Sequence, residues 1–212
     1  MDITQVFVTT ANTRPYYPKF LSPSQLFKED GIESFEKYDR FLSALYYKQG
    51  FKQDYDELVS FGGWPRNDRA SFLDIQLSLL GKIPQDSHTL FSIENLDGAL
   101  QYKAPISFLS YKGVIANQNF YKQGKTYSNP LYTVSSLNPE ISCRWLLSYK
   151  TQSPQDRCII HFAYPKEANA AYIKNLVAAD ECVVLSKRAL KYRVYKKVLH
   201  EGIYHIMMRV LV

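Results

Sequence analysis

The sequence predicts an α+β domain in which helices occupy most of the first hundred residues and short strands most of the rest. Three observations carry this. Apolar residues recur at helical spacing between 35 and 80, which is the mark of helices with one buried face. After Pro84 the pattern changes to short β-forming runs separated by turn residues. The chain ends in two alternating segments, 190–198 and 203–212, whose connection at His200-Glu201-Gly202 makes them a hairpin. Helices first and strands afterwards argue against a doubly wound sheet, in which the two alternate.

Residues 1–30 hold Pro15, Pro18 and Pro23 around Tyr16-Tyr17. Prolines so placed forbid a continuous helix, so this segment is expected to be an extended arm on the body or on a partner, with the domain proper spanning 31–212. Phe35, Tyr38, Phe41, Leu42, Leu45 and Tyr46 form one helical stripe, ending near Gly50. A second helix is expected from about Asp54 to Phe61. A third runs from about Asn67 to Leu80, burying Phe72, Leu73, Ile75, Leu77 and Leu80 and stopping at Gly81. Thr89-Leu90-Phe91-Ser92-Ile93 reads as the first strand, with His88 before it, and Ile106 to Tyr111 as another. The 113–124 segment is loop-like and rich in amides. Cys158 to Tyr164 is a strand between two prolines. Ala168 to Leu176 is helical or turn-like, and Asp180 to Leu185 is a further strand.

A length of 212 residues suits one domain, with or without an arm. The chain is 46% hydrophobic and 22% charged, an ordinary globular composition rather than a disordered one. No apolar run approaches the ~20 residues of a membrane span, and the first residues have no leader pattern. Cys143, Cys158 and Cys182 are an odd set without metal spacing, and the histidines are scattered. Reduced thiols and a cytoplasmic location are expected, with no metal. The net charge of +6 is uneven, because Lys187, Arg188, Lys191, Arg193, Lys196 and Lys197 crowd together near the C-terminus. Such a run either attracts nucleic acid or simply solvates a strand and blunts a sheet edge.

The stretch from Asn129 to Ile141 is the densest in signals. Asn129-Pro130 marks a turn. A short β run rich in hydroxyls follows, ending in Ser135-Ser136. Asn138-Pro139-Glu140 then opens a helix with a good N-cap and a proline at the first helical position, expected to bury Ile141, Trp145 and Leu146. Hydroxyls where a strand gives way to a helix either face a ligand or bond their own backbone.

Taken in order, Leu90-Phe91-Ser92, Tyr132-Thr133-Val134-Ser135-Ser136-Leu137, Ile159 to Lys166 and Asp180-Glu181-Cys182-Val183-Val184-Leu185 resemble the parts of the ADP-ribosyltransferase superfamily. The similarity is to exoenzyme-type toxins and to small transferases carried by tailed phages. It covers about residues 33 to 212 and lies in the order of the parts. The resemblance implies two packed sheets, mixed and antiparallel, around a cleft for nicotinamide adenine dinucleotide (NAD). It further implies an arginine on the cofactor phosphates, a Ser-Thr-Ser strand at the nicotinamide pocket, and a glutamate that stabilises the ribosyl cation as the bond to nicotinamide breaks.

Against that pattern the slots are altered. Ser92 stands in the arginine slot, Ser135 and Ser136 keep the second and third hydroxyls, and Cys182 stands in the glutamate slot. Glu181 fills that slot only with a slip of one residue, which in a strand turns the side chain to the other face. Lys82 and Arg144 are candidate stand-ins for the arginine. His161 reads as a core histidine, and Trp64 and Trp145 as core anchors. Two functions follow. One is a non-catalytic binding or structural protein with no cofactor, with a protein partner or self-assembly through the arm; nucleic acid held through Lys187, Arg188, Lys191, Arg193 and Lys197 is compatible with either function. The other is an active mono-ADP-ribosyltransferase using NAD and Glu181, in the host cytoplasm if phage-encoded.

Overall fold

A computed structural model of the chain describes residues 35–48, 70–148, 156–174, 182–200 and 202–212. The expected arm over 1–30, the helix expected over 54–61, Trp64 and Glu181 lie outside the described residues. The helices are α1 (Phe35–Lys48), α2 (Phe72–Leu79), α3 (Ser87–Ala99) and α4 (Pro139–Ser148). The strands are β1 (Phe108–Ile115), β2 (Thr126–Ser128), β3 (Thr133–Ser136), β4 (Arg157–Tyr164), β5 (Ala170–Lys174), β6 (Val183–Ser186), β7 (Lys191–His200) and β8 (Ile203–Leu211). The architecture is α+β, as the sequence predicts. No helix among the described residues is long and apolar enough to cross a membrane.

In α1 the stripe is real at Leu42 and Tyr46, both buried, and the Tyr46 hydroxyl donates to the Ala170 carbonyl of β5 at 2.9 Å. Helix α2 starts at Ser71, whose hydroxyl accepts from the Asp74 amide (3.1 Å) and donates to the Asp74 carboxylate (2.6 Å), a capping arrangement. It ends at Gly81, where φ is +66° and the amides of Gly81 and Lys82 return to Ser78 and Leu77, geometry that favours glycine. Its buried side differs from expectation, since Ile75 is inside while Leu73 is 66% exposed.

The strand expected over 89–93 is instead the middle of α3. Asp86 caps this helix by accepting from the Thr89 amide at 2.7 Å. Thr89, Ser92, Ile93 and Leu96 face inward at helical spacing, whereas Leu90 and Phe91 are exposed. The apolar run suggested a strand because its large residues lie outside and its small hydroxyls inside. Ala168 to Leu176 is corrected in the same way, for β5 takes up its centre. Ala170, Ala171, Tyr172 and Ile173 are all buried there, so tertiary packing overrides the helical preference of alanine. The loop expected over 113–124 begins as the end of β1.

The strands run β2-β7-β8-β4-β1-β3-β6-β5 in one mixed sheet, with β4 and β8 parallel and the other pairs antiparallel. Two packed sheets around a cleft were expected. The structure joins them through a single residue pair between β1 and β3, Tyr111 opposite Ser136. The sheet folds over at that join, because the Tyr192 hydroxyl of β7 reaches Thr133 of β3 at 3.2 Å although three strands separate them in the sheet. The main core fills the space between the two arms, with Phe162, Tyr192, Val194 and Met208 from one and Tyr172 and Val184 from the other. Helix α4 covers the outer face of β1 and β4 through Leu146, which packs with Leu109, Tyr111, Ile159 and Ala163. Trp145 is 52% exposed, a second departure from expectation.

Candidate functional site

The candidate site lies where β1, β3 and β6 meet at the fold of the sheet. Alternation along each strand decides which side chains enter it. On β1 the residues facing between the arms are Phe108, Ser110, Lys112 and Val114; on β3 they are Thr133 and Ser135; on β6 they are Val184 and Ser186. The hydroxyls of Ser110 and Ser135 bond each other at 2.7 Å, and that of Ser135 also approaches the Val184 carbonyl at 3.4 Å. Further along, the Tyr192 hydroxyl lies between Ser186 (3.3 Å) and Thr133 (3.2 Å), and the Asn129 side chain donates to Thr133 at 2.9 Å. Tyr164 is fully buried beside Ser110, Ser135 and Ser186. Burial, with Tyr192 adding to it, holds its phenol well above the ordinary range. The result is a dry seam of neutral hydroxyls.

Ser136 points the other way. Its hydroxyl accepts from the Asn138 amide at 2.9 Å, and Asn138 in turn accepts from the Glu140 amide at 3.0 Å. Ser136 therefore helps turn the chain into α4. Ser92 sits on α3, fully buried, accepting from the Ala70 amide at 3.3 Å. It is not on the strand where a phosphate-gripping arginine was sought, so that slot was misplaced.

The first strand among the described residues is β1, and the one cation on β1, β3 and β6 is its Lys112. Sequence reasoning passed over it because the wrong segment had been taken for the first strand. The alternation in Phe108-Leu109-Ser110-Tyr111-Lys112, beside the Ser135-Ser136 strand, was the signal that pointed to it. Lys112 is half-buried, and burial pulls its ammonium below the usual lysine range. The two stand-ins named from sequence are elsewhere: Lys82 is exposed beyond the end of α2, and Arg144 is exposed on α4.

Cys182 is buried just before β6, and its carbonyl accepts from the Leu137 amide at 2.9 Å. Its φ of +47° is left-handed, a conformation that costs a residue with a side chain of order 1 kcal/mol or more. The extended pattern of β6 therefore does not continue backwards through 182. Strand alternation therefore sets no constraint on the residue before Cys182.

On the outer face of the sheet, His161 is buried with its Nε2 2.9 Å from Nδ1 of His205, and Tyr111 packs edge-on against it. It is a core histidine, as read from sequence. Among the described residues no group of side chains could hold a metal ion.

No known protein family and no curated protein matches the sequence. Solved structures do match. Plx2a, an ADP-ribosyltransferase toxin from Paenibacillus larvae, aligns over 84% of this chain and 96% of its own at 20% identity, with a TM-score of 0.63. The Clostridium limosum C3 exoenzyme aligns over 84% of this chain and 95% of its own at 14% identity and a TM-score of 0.62. An ADP-ribosyltransferase from Clostridium botulinum aligns over 84% of this chain and 96% of its own at 14% identity and a TM-score of 0.61. The chain has the ADP-ribosyltransferase fold.

Proposed function

We propose that this chain keeps the ADP-ribosyltransferase fold as a binding protein and has given up turnover. The observation that carries the reading is Cys182. Aligned by Val183-Val184-Leu185, it occupies the slot of the charge-stabilising glutamate, and it is a buried thiol. Cleavage of the bond to nicotinamide builds positive charge on the ribose, and a neutral thiol has no charge to set against it. The hydroxyl neighbours agree with this, since Ser135 is engaged with Ser110 and Ser136 with Asn138. Losing one preorganised electrostatic contact lowers a rate by ~10²–10³, so losing the carboxylate and the guanidinium together leaves little catalysis.

A second reading has its own support. It is a mono-ADP-ribosyltransferase in which Glu181 supplies the carboxylate and Lys112 stands in for the arginine. The left-handed turn at Cys182 removes the objection from strand alternation, and Lys112 restores a cation to β1 beside the Ser110–Ser135 pair. An ammonium is a point charge without the two-pronged grip of a guanidinium, so cofactor phosphates would be held more loosely.

The test is nicotinamide release, and label transfer from labelled NAD to a host lysate, by the full chain. No release and no transfer is the expected result. Transfer abolished by Glu181→Gln and weakened by Lys112→Met, with Cys182→Ser unchanged, would establish the second reading and end the first.

A further inference from the structure

We infer that the outward face of the β2–β7–β8 edge, remote from the hydroxyl seam, binds single-stranded nucleic acid along its phosphates. The inference starts from the register of β7. Tyr192 and Val194 point into the core, so Lys191 and Arg193 point out, and both are exposed. An extra residue, Tyr195, is inserted between Val194 and Lys196, which pair with Met208 and Met207 in succession. This bulge resets the alternation and turns Lys196 outward beside Arg193 instead of inward. Arg209 of β8 stands directly opposite Arg193 on the same face. On the other side Thr126 and Ser128 of β2 stand opposite Arg193 and Lys191, small side chains that leave the cations uncovered. The Arg193 guanidinium lies 5.9 Å from the Tyr195 ring centre.

Strands β2, β7 and β8 carry no carboxylate. A row of cations with no carboxylate on its own strands draws a polyanion to that face. Cations two apart along a strand repeat every ~6.7 Å, and neighbouring strands lie ~4.8 Å apart. Such a row can track an extended phosphate backbone, with Tyr195 as a stacking surface. The Tyr195 ring, partly exposed within the row, can stack on an unpaired base but not on one inside a duplex, which favours a single strand. The exposed large apolar side chain on these three strands, Leu199, is on the opposite face, so the patch has nothing to insert into a lipid surface.

The structure also revises the residues read from sequence. Arg188 is held by Asp97 at 2.6 Å, and Lys187 lies in the turn before β7. Lys197 faces the other way, where its ammonium bonds Gln118 and lies 5.7 Å from the Tyr204 ring centre. The binding row is Lys191, Arg193 and Lys196, with Arg209 alongside.

The experiment is fluorescence anisotropy of the full chain with a labelled oligothymidylate of about 16 nucleotides, at ~50 mM salt and upwards. Binding should weaken with salt with a log–log slope of roughly −2 to −3, as three or four single-strand phosphate contacts require. Arg193→Glu with Lys196→Glu should cost at least about tenfold in affinity while the circular dichroism spectrum is unchanged. Should that pair disturb folding, Lys191→Gln alone should cost a few-fold and flatten the slope by about 0.7. No binding at ~50 mM salt would overturn the inference. So would affinity indifferent to both variants, or equal or tighter binding to labelled polyglutamate or to phosphatidylserine vesicles.

Discussion

Where β1, β3 and β6 meet, the polar side chains between the arms are mostly hydroxyls bonded to one another; along β2, β7 and β8 the charged outward side chains are Lys191, Arg193, Lys196 and Arg209. Both regions belong to one sheet, and both are built from residues alternating along strands. They differ in what surrounds them. The seam is closed from both sides, by the opposite arm within and by α4 without, so neutral groups are favoured over charged ones there, although the buried Tyr164 hydroxyl makes no hydrogen bond among the described residues. The edge is open along the start of β7, where Lys191 and Arg193 are exposed while Met207 and His205 on the same face of β8 are buried, so hydration keeps charge cheap at that rim. Charge is thus concentrated at the rim, while Lys112 is the one cation left at the join.

The closed character of the join can be broken at Gly113. A Cβ built there would lie 2.3 Å from the Ser142 carbonyl oxygen and 2.9 Å from the Leu146 Cβ, so α4 would have to lift from β1. Much of that conflict is with backbone, which cannot rotate away. Gly113→Ala should therefore destabilise by about 3 kcal/mol or prevent folding, at the upper end of what overpacking costs. Urea denaturation measures it. A loss below ~0.5 kcal/mol would mean that α4 is loosely held and that the seam is less closed than its hydrogen bonds imply.

Acid should act on the other side of the sheet, through the buried histidines of β4 and β8. Burial and the His200 charge push His205 down to about 4, and burial with His205 pushes His161 well below its ordinary range. Both are therefore neutral in the fold at pH 7. The unfolded chain takes up these protons near pH 6.5, before the folded chain does, so stability falls as pH drops from about 6.5 towards 4. For His205 alone the loss reaches about 3 kcal/mol by the lower limit. Denaturant titrations at several pH values test this. A flat profile across that window would show that water already reaches the pair.

How much of this was legible in the sequence follows the same division. The hairpin of β7 and β8 and the helix after Asn138-Pro139 were readable, because turn chemistry and alternation are local. The α3 segment was not. Its inward residues are Thr89 and Ser92 and its outward ones Leu90 and Phe91, the reverse of what hydrophobicity implies. That one inversion moved the first strand from β1 to Leu90-Phe91 and hid Lys112. The burial of Ser135 was also out of reach, since it depends on Ser110 and on Val184, distant in sequence. At the basic run, composition showed that charge gathers but not how it divides. The bulge at Tyr195 decides that division, and no residue type announces it.

The smallest effect separates cations within that run. Arg188 grips Asp97 with two nitrogens, at 3.0 and 2.6 Å from one oxygen, and the other oxygen accepts from the Tyr132 hydroxyl at 2.9 Å. This ties the turn before β7 to α3 and to the residue that precedes β3. Burial and the Asp97 carboxylate raise the Tyr132 phenol, so it remains a donor at any ordinary pH. The pair is partly solvated, with the two side chains 37% and 24% exposed, so its Coulombic part is discounted. Arg188→Gln should cost about 1 kcal/mol, mostly through lost hydrogen bonds to a charged acceptor. Lys191→Gln, a few residues away, should change stability by less than ~0.5 kcal/mol. Equal losses from the two substitutions would mean that Lys191 also holds the fold together, and the outward row would then be architecture instead of a surface kept for a partner.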